Sequence, residues 1–406
     1  MISPTITPIT RWGLNLLGVL AAVMVLRLGQ AIFIPTVIAL ILAAVLWPGA
    51  VSLHRQLKMP WSVACLTALT GLLLLNVVVT LGFTFSIARL LQNMPNPNSA
   101  DGQQRLYTKI RDKVEVISPV ALDDDDTYWP KQAEDSRVFQ YVQETIQKNM
   151  AYGLLRVAEY GNSWIWQWVL IMFLLLFLLV EGKMLTRRTV EILGTSADTQ
   201  QKAGAALTDM ALQVRSFIVW RTLINILLGM VLWVFYYSLG LTEWFTWGLL
   251  AMVLCYVPYL GPIAAGIPPI IDAFLSCPTP FYAVIVMAAY AVLITVEGYI
   301  IVPVVMGRSM EMNATTVMLA CLFWDLVWGL PGLFMAMPLM AAIKAVCHHV
   351  PELRPWANLM SISEGADVRP SSQMNIHIDA EFGPNLPPDP EPTTPPAEES
   401  HTTPVG

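Results

Sequence analysis

Charge is scarce in this sequence. Only 13% of its 406 residues are Asp, Glu, Lys or Arg, against roughly 25% in soluble domains. So few charges cannot coat a soluble globule of this length, which excludes most cytosolic enzymes. Cysteine is scarce as well. Cys65, Cys255, Cys277, Cys321 and Cys347 are scattered, with no CxxC and no His at zinc spacing. That excludes a secreted disulfide scaffold and leaves small apolar packing as their reading. There is no GxxxxGK[ST] loop, so the chain does not power itself with ATP. There is no HExxH, no GxSxG and no Rossmann glycine pattern. No enzyme activity, metal or cofactor is therefore expected, and no basic excess points to nucleic acid.

Long apolar runs are what the sequence does have. Hydrophobic residues make up 55% and the mean hydropathy is +0.57. This composition predicts an all-α multi-pass membrane protein. Its formal charge of −6 is misleading. Residues 361–406 hold eight Asp or Glu and one Arg, a net of −7, which leaves +1 for the rest. That Pro-, Glu-, Ser- and Thr-rich tail cannot bury a core and reads as disordered from 351 to 406.

About eight spans are expected. Residues 1–92 hold three: Trp12 to Gly29, Ala31 to Pro48, and Trp61 to Leu91. Residues 93–160 change character, with Pro95-Asn-Pro-Asn98, mixed charges and the run Asp123 to Asp126. This is a water-exposed segment. Within it Val138, Tyr141, Val142, Ile146 and Met150 fall at helical spacing and predict an amphipathic helix. The aspartates lack EF-hand spacing and read as a solvated loop rather than a cation site. Residues 161–350 hold five more spans: Trp164 to Val180, Phe217 to Leu239, Trp244 to Phe274, Phe281 to Val302, and Thr315 to Val346. A polar helical loop at 184–214 lies between the first two of these. The sixth and eighth spans overall are broken by Pro and Gly, and the sixth reads either as a crossing helix or as a re-entrant hairpin.

Lys and Arg set the orientation. With the N-terminus inside, the inner side receives Arg11, Arg55, Lys58, Lys183, Arg187, Arg188, Lys202, Arg215, Lys344 and Arg354. The outer side receives Arg27 and Arg308, with Arg89 near an outer end. Both termini are then cytoplasmic and 93–160 faces outward. His348 and His349 sit at the exit of the last span and read as interfacial.

Polar residues inside apolar spans are the informative feature. A charge near the bilayer centre costs at least ~2.5 kcal/mol on insertion scales, so it faces a cavity or a partner. Glu297 has two readings: a proton or cation site that drives transport, or a structural ion pair with Arg221 or Arg308. Arg221 and Asn225 share a face of the fifth span. For Asp272 and Asp325 the structural reading is favoured. The second feature is the stretch from Tyr256 to Pro269, which includes Pro258, Tyr259, Gly261 and Pro262. Proline removes a helical donor and frees an earlier carbonyl, and unwound backbone at membrane depth survives only in protein or beside water. Pro303, and Gly329 with Gly332, interrupt the seventh and eighth spans in the same way. Together these are the residues expected to line a substrate or ion pathway.

These motifs also carry a resemblance. VPYLGPIAAGIPPII followed by VEGYIIVPVVMGRSMEMNATTVMLACLFWDLVWGLPGLFMAMPLMAAIKAV resembles the autoinducer-2 exporter family, the PerM-like permeases. The order matches: Pro258 to Pro262, Glu297 with Pro303, Gly307-Arg308, Gly329 with Gly332, then Ala336 and Pro338. IPTVIALILAAVLWP, with Pro35 and Pro48, is similar to the family's second span. The sequence departs from the family pattern at Trp220, where glycine is usual, at Asp325 in a usually apolar stretch, and in its acidic tail. The resemblance implies eight spans, an inner-membrane permease and a homo-oligomer. It further implies export of a small solute such as the quorum signal autoinducer-2, with sodium(lithium)/proton antiport as the alternative. A membrane scaffold is the reading from another class. The expected partners are the lipid bilayer, the solute, a coupling proton or sodium ion, and further copies of the chain.

Overall fold

A computed structural model describes residues 8–93, 100–117, 130, 132–194, 196–306 and 312–361. Among these every regular element is helical, as low charge and long apolar runs predict. Helix α1 is Pro8–Leu28, α2 Gln30–Gln56 and α3 Trp61–Asn93. Helix α4 is Ala100–Ile117, α5 Arg137–Leu193 and α6 Ala197–Ser238. Then come α7 Trp244–Leu254, α8 Leu260–Ser276, α9 Phe281–Val296 and α10 Val302–Met306. The last three are α11 Ala314–Trp328, α12 Leu330–His349 and α13 Arg354–Met360.

Among the described residues six helical stretches are long and apolar enough to cross a membrane: Gln30–Gln56, Trp61–Arg89, Trp166–Leu193, Ala197–Ser238, Phe281–Met306 and Leu330–His349. Their outer faces expose large apolar side chains such as Leu74, Val78, Phe173, Phe177 and Val234. Only a lipid surround makes contiguous exposure of that kind favourable. The inner faces pack in three clusters. Ala39, Trp47, Cys65, Leu175 and Leu179 join α2, α3 and α5. Leu232, Tyr236, Ala251, Ala265, Val286 and Tyr290 join α6, α7, α8 and α9. Ile34, Cys321, Trp324, Val327, Met335 and Ala336 join α2, α11 and α12. All five cysteines are buried and none is in a disulfide.

The fourth expected span, Trp164 to Val180, falls at the start of the apolar stretch Trp166–Leu193. Helix α5 runs unbroken for 57 residues, about 86 Å at 1.5 Å per residue. The shift from polar to apolar composition near residue 161 changes the helix's surroundings and leaves its backbone intact. At the start of α5 the Ser136 hydroxyl accepts from Phe139 N at 3.3 Å. There Tyr107, Ala133 and Phe139 form a small core under α4. The expected amphipathic face of 138–150 falls on this helix, with Tyr141 exposed. Asp123 to Asp126 lie outside the described residues.

The sixth expected span is two helices folded back on each other. Helix α7 has 11 residues and α8 has 17, about 16 Å and 26 Å long, each short of a hydrocarbon core of about 30 Å. Their outer ends meet. Asp272 of α8 accepts from Glu243 N at 3.2 Å and from Trp247 Nε1 at 2.7 Å. The turn between them is tight because Gly261 sits against the Leu254 carbonyl, where a Cβ would collide with it. Tyr259 takes φ +61° at the tip.

The eighth expected span is also a helix pair. Asn313, at the start of α11, donates N–H to Met360 O at 3.0 Å and Nδ2 to Leu359 O at 2.5 Å. Cys347, at the end of α12, packs with Ala357 and Met360. The start of α11 and the end of α12 are therefore neighbours, and the two helices run antiparallel. Gly329 turns the chain at φ +64°, a conformation glycine takes at little cost. Gly332 then lets α12 press against the Trp324 carbonyl.

The two pairs open toward opposite ends of the bundle. The base of α7–α8 lies by α4, whose Lys113 ammonium donates to Cys277 O at 2.5 Å and Pro278 O at 2.6 Å. The base of α11–α12 lies by the α5–α6 connection, where His349 meets Asp209 of α6 at 3.1 Å.

Candidate functional site

Helix α6 carries Arg221, Thr222 and Asn225 within two turns. Each reaches the α7–α8 tip. One Arg221 nitrogen, Nη2, donates to the Cys255 carbonyl. The Thr222 hydroxyl meets the Tyr256 hydroxyl at 2.5 Å. Asn225 Nδ2 donates to Met252 O at 3.2 Å. A helix that ends in the membrane leaves its last carbonyls without intrahelical donors, and Arg221 and Asn225 supply donors to that stretch. From the far side of the tip, Tyr290 of α9 donates its hydroxyl to Pro262 O at 2.7 Å.

The other Arg221 nitrogen, Nη1, lies 2.5 Å from Glu297 Oε1. The side chains of this pair are 11% and 6% exposed. Glu297 begins a π-helical turn, Glu297–Ile301, between α9 and α10, closed by Val302 N–H on the Glu297 carbonyl. Pro303 follows at once. Its missing N–H and its ring disturb the i−4 ladder in this turn, and π-turns inside helices recur at functional positions. Burial of a charged pair is stabilising only when its geometry and remaining hydrogen bonds are good. Here one guanidinium bridges a carboxylate and a freed backbone carbonyl. Asn225 Oδ1 and the Tyr236 hydroxyl, both on α6, are buried with no hydrogen-bond partner among the described residues.

Of the residues expected to form a pathway, Arg221, Asn225, Glu297 and the Pro258–Pro262 turn belong to this neighbourhood, with Pro303 just beyond it. Of the two sequence candidates for Glu297's partner, Arg221 fills the place. Arg308 and Gly307 lie outside the described residues. Asp272 lies at the far end of α8, held by Glu243 N, Trp247 Nε1 and the Ser276 hydroxyl at 2.6 Å, which is a structural arrangement. Asp325 is exposed on α11. Gly329 and Gly332 form the other tip, beside α1, where Trp328 Nε1 donates to Leu26 O at 3.0 Å. Among the described residues no group of three His, Cys, Asp or Glu could hold a metal.

Sequence reasoning missed Thr222, Tyr256 as its partner, and Tyr290. Tyr290 precedes Glu297 by seven residues, two helical turns, so it shares that face of α9. That spacing was the available signal.

Comparison with known proteins gives the same picture. The sequence model of the AI-2E family transporters matches residues 16–352. The AI-2 transport protein TqsA of Escherichia coli K12 is 24% identical over 332 residues, 81% of this chain and 89% of that protein. A transport protein of Haemophilus influenzae is 21% identical over 356 residues, 85% of this chain and 95% of its own length. The Bacillus subtilis transport protein YrrI is 27% identical over 180 residues, 44% of this chain and 50% of that protein.

Proposed function

The chain belongs to the AI-2E family of transporters, and from that premise we propose that it is a secondary transporter of the inner membrane exporting a small polar organic solute. Autoinducer-2 is the specific candidate, because the relative that matches most of this chain's length under a substrate name, TqsA, is described as an AI-2 transport protein.

One observation carries the reading. A buried arginine on a long membrane helix, α6, is shared between a carboxylate and a carbonyl freed by a broken helix. Such an arginine exchanges partners. When a solute hydroxyl or a proton takes the place of one contact, the α7–α8 tip loses one of its three ties to α6, the others being Thr222 with Tyr256 and Asn225 with Met252 O. Broken helices near the midplane serve transporters in this way. The tip then moves against the bundle, and access passes from one end to the other. Glu297 is the coupling group in this scheme and the Pro258–Pro262 turn is the moving backbone.

The reading also fixes a topology. We place α1 and α11 beside the six long apolar stretches as crossing helices, because α11 pairs with the long α12 and its tip reaches Leu26 at the end of α1, while α7–α8 re-enters from the α4 side. The number of crossings stays even, so both termini share the cytoplasmic side.

The test is flux in proteoliposomes of purified protein under an imposed proton gradient. Gradient-driven autoinducer-2 movement is the expected result. Sodium–proton exchange without organic flux, or no movement of either in vesicles with confirmed insertion, contradicts the proposal.

A further inference from the structure

We propose that His349 and Asp209 form a proton-operated latch that clamps α12 to α6 at the end of the bundle opposite α4. The hydrogen-bond geometry of the imidazole leads to this. His349 Nδ1 lies 3.0 Å from Ala345 O, one turn back in α12. Its Nε2 lies 3.1 Å from Asp209 Oδ2. A carbonyl and a carboxylate only accept. A neutral imidazole has one N–H and satisfies one of the two. The Nδ1 hydrogen bond together with an ion pair at Nε2 calls for the imidazolium, the form that histidine gains and loses near neutral pH.

The surroundings make the latch conditional. His349 is in the last turn of α12, where the partial negative charge of a helix C-terminus favours a cation. Against it stand the other charged groups of the site. On α12 these are His348, with its ring centroid 6.3 Å away, and the buried Lys344. On α13 it is Arg354, whose Nε donates to His348 O at 3.3 Å. On α6 the Asp209 carboxylate acts on both histidines. The imidazolium pairs with the Asp209 carboxylate, and a neutral ring lacks the charge that makes the pair.

What the latch joins gives it consequence. Helix α12 is one arm of the antiparallel pair that turns at Gly329. Helix α6 carries Arg221 twelve residues beyond Asp209, about 18 Å along the axis. A single protonation at the α5–α6 end therefore fixes this pair to the helix that holds the buried ion pair. The inference does not rest on any transported solute, because a native thiol reports on it. Cys347 is 7% exposed and packs under Met360 and Ala357, two residues before His349.

The experiment is maleimide labelling of Cys347 in the full-length protein, read by mass spectrometry across the pH range in which histidine titrates. Labelling of any thiol speeds up with pH as the thiolate forms, so each rate is compared with that of His349→Arg, whose cation is permanent. At acidic pH the wild type should match His349→Arg. As pH rises it should outpace that variant several-fold and converge on His349→Gln, which labels fast throughout. Asp209→Asn should behave as His349→Gln does, and it supplies the comparison if His349→Arg fails to fold. A wild-type to His349→Arg ratio that stays constant with pH overturns the latch. So does a His349→Gln rate equal to the wild type at every pH, because that shows the contact holds nothing closed.

Discussion

Arg221 Nη1 lies 2.5 Å from Glu297 Oε1 although 76 residues separate them, and both side chains are almost fully buried. The same guanidinium also donates to Cys255 O. One side chain therefore joins three elements: the long helix α6, the broken tip of α7–α8 and the π-turn after α9.

Removing one member of this pair leaves a charge buried without a counter-charge. Glu297→Leu should lower stability in detergent by about 3–5 kcal/mol, the usual consequence of breaking a buried pair. The double substitution Arg221→Met with Glu297→Leu should recover most of the loss, because well-packed apolar residues replace such pairs at little cost. Transport should stay absent in the double variant. Thermal melting and flux on the same preparations check both points.

The tip geometry gives a second expectation. Gly261→Val places a branched side chain against the Leu254 carbonyl, and Gly332→Val places one against the Trp324 carbonyl. Each should destabilise by about 1–3 kcal/mol, as overpacking does, and should depress transport. Gly71→Ala serves as the control, since its Cβ meets open space. It should melt at or slightly above the wild-type temperature, because alanine is the better helix former.

Lys113 ties α4 to the turn at the base of α7–α8. Its removal in Lys113→Met should open that turn and speed maleimide labelling of Cys277, which is 3% exposed. The sign has two parts. Burial raises the Cys277 thiol pKa, the Asp272 carboxylate raises it further and Lys113 lowers it. Loss of Lys113 therefore reduces the thiolate fraction at a given pH. Faster labelling in spite of this shift identifies opening of the turn, and slower labelling shows that Lys113 acts only through its charge.

Asp272 should prove structural. Asp272→Asn keeps one acceptor oxygen and weakens contacts with Glu243 N, Trp247 Nε1 and the Ser276 hydroxyl. Stability should fall by about 1–3 kcal/mol, the range for losing hydrogen bonds to a charged group. The pH dependence of flux should keep its wild-type midpoint. A shifted midpoint makes Asp272 part of proton coupling.

How far the sequence foretold this structure depends on the range of the interactions. Glu297 and Arg221 were legible because a charge in an apolar run demands a partner, and the two were natural candidates for each other. The breaks at Pro258–Pro262 and Gly329–Gly332 were legible because proline and glycine act locally. Their outcome was not. A break permits a kinked crossing or a fold-back, and contacts distant in sequence decide between them: Glu243 with Asp272, and Asn313 with Met360. That the amphipathic helix within 93–160 and the fourth span are one continuous helix, α5, was not legible, because composition changes near residue 161 while the backbone has no reason to stop. The His349–Asp209 contact had no local signature, since it joins residues 140 apart across α6 and α12.

The most direct test of the central claim compares wild type with Glu297→Gln in proteoliposomes, measuring solute flux as a function of pH. Glutamine keeps the shape and one acceptor of glutamate and cannot lose or gain the coupling proton. The account predicts that gradient-driven flux falls at least tenfold and that the remainder no longer depends on pH, while the variant still inserts and purifies as a folded protein. Flux and pH dependence equal to the wild type contradict it and reduce the Arg221–Glu297 pair to a structural tie.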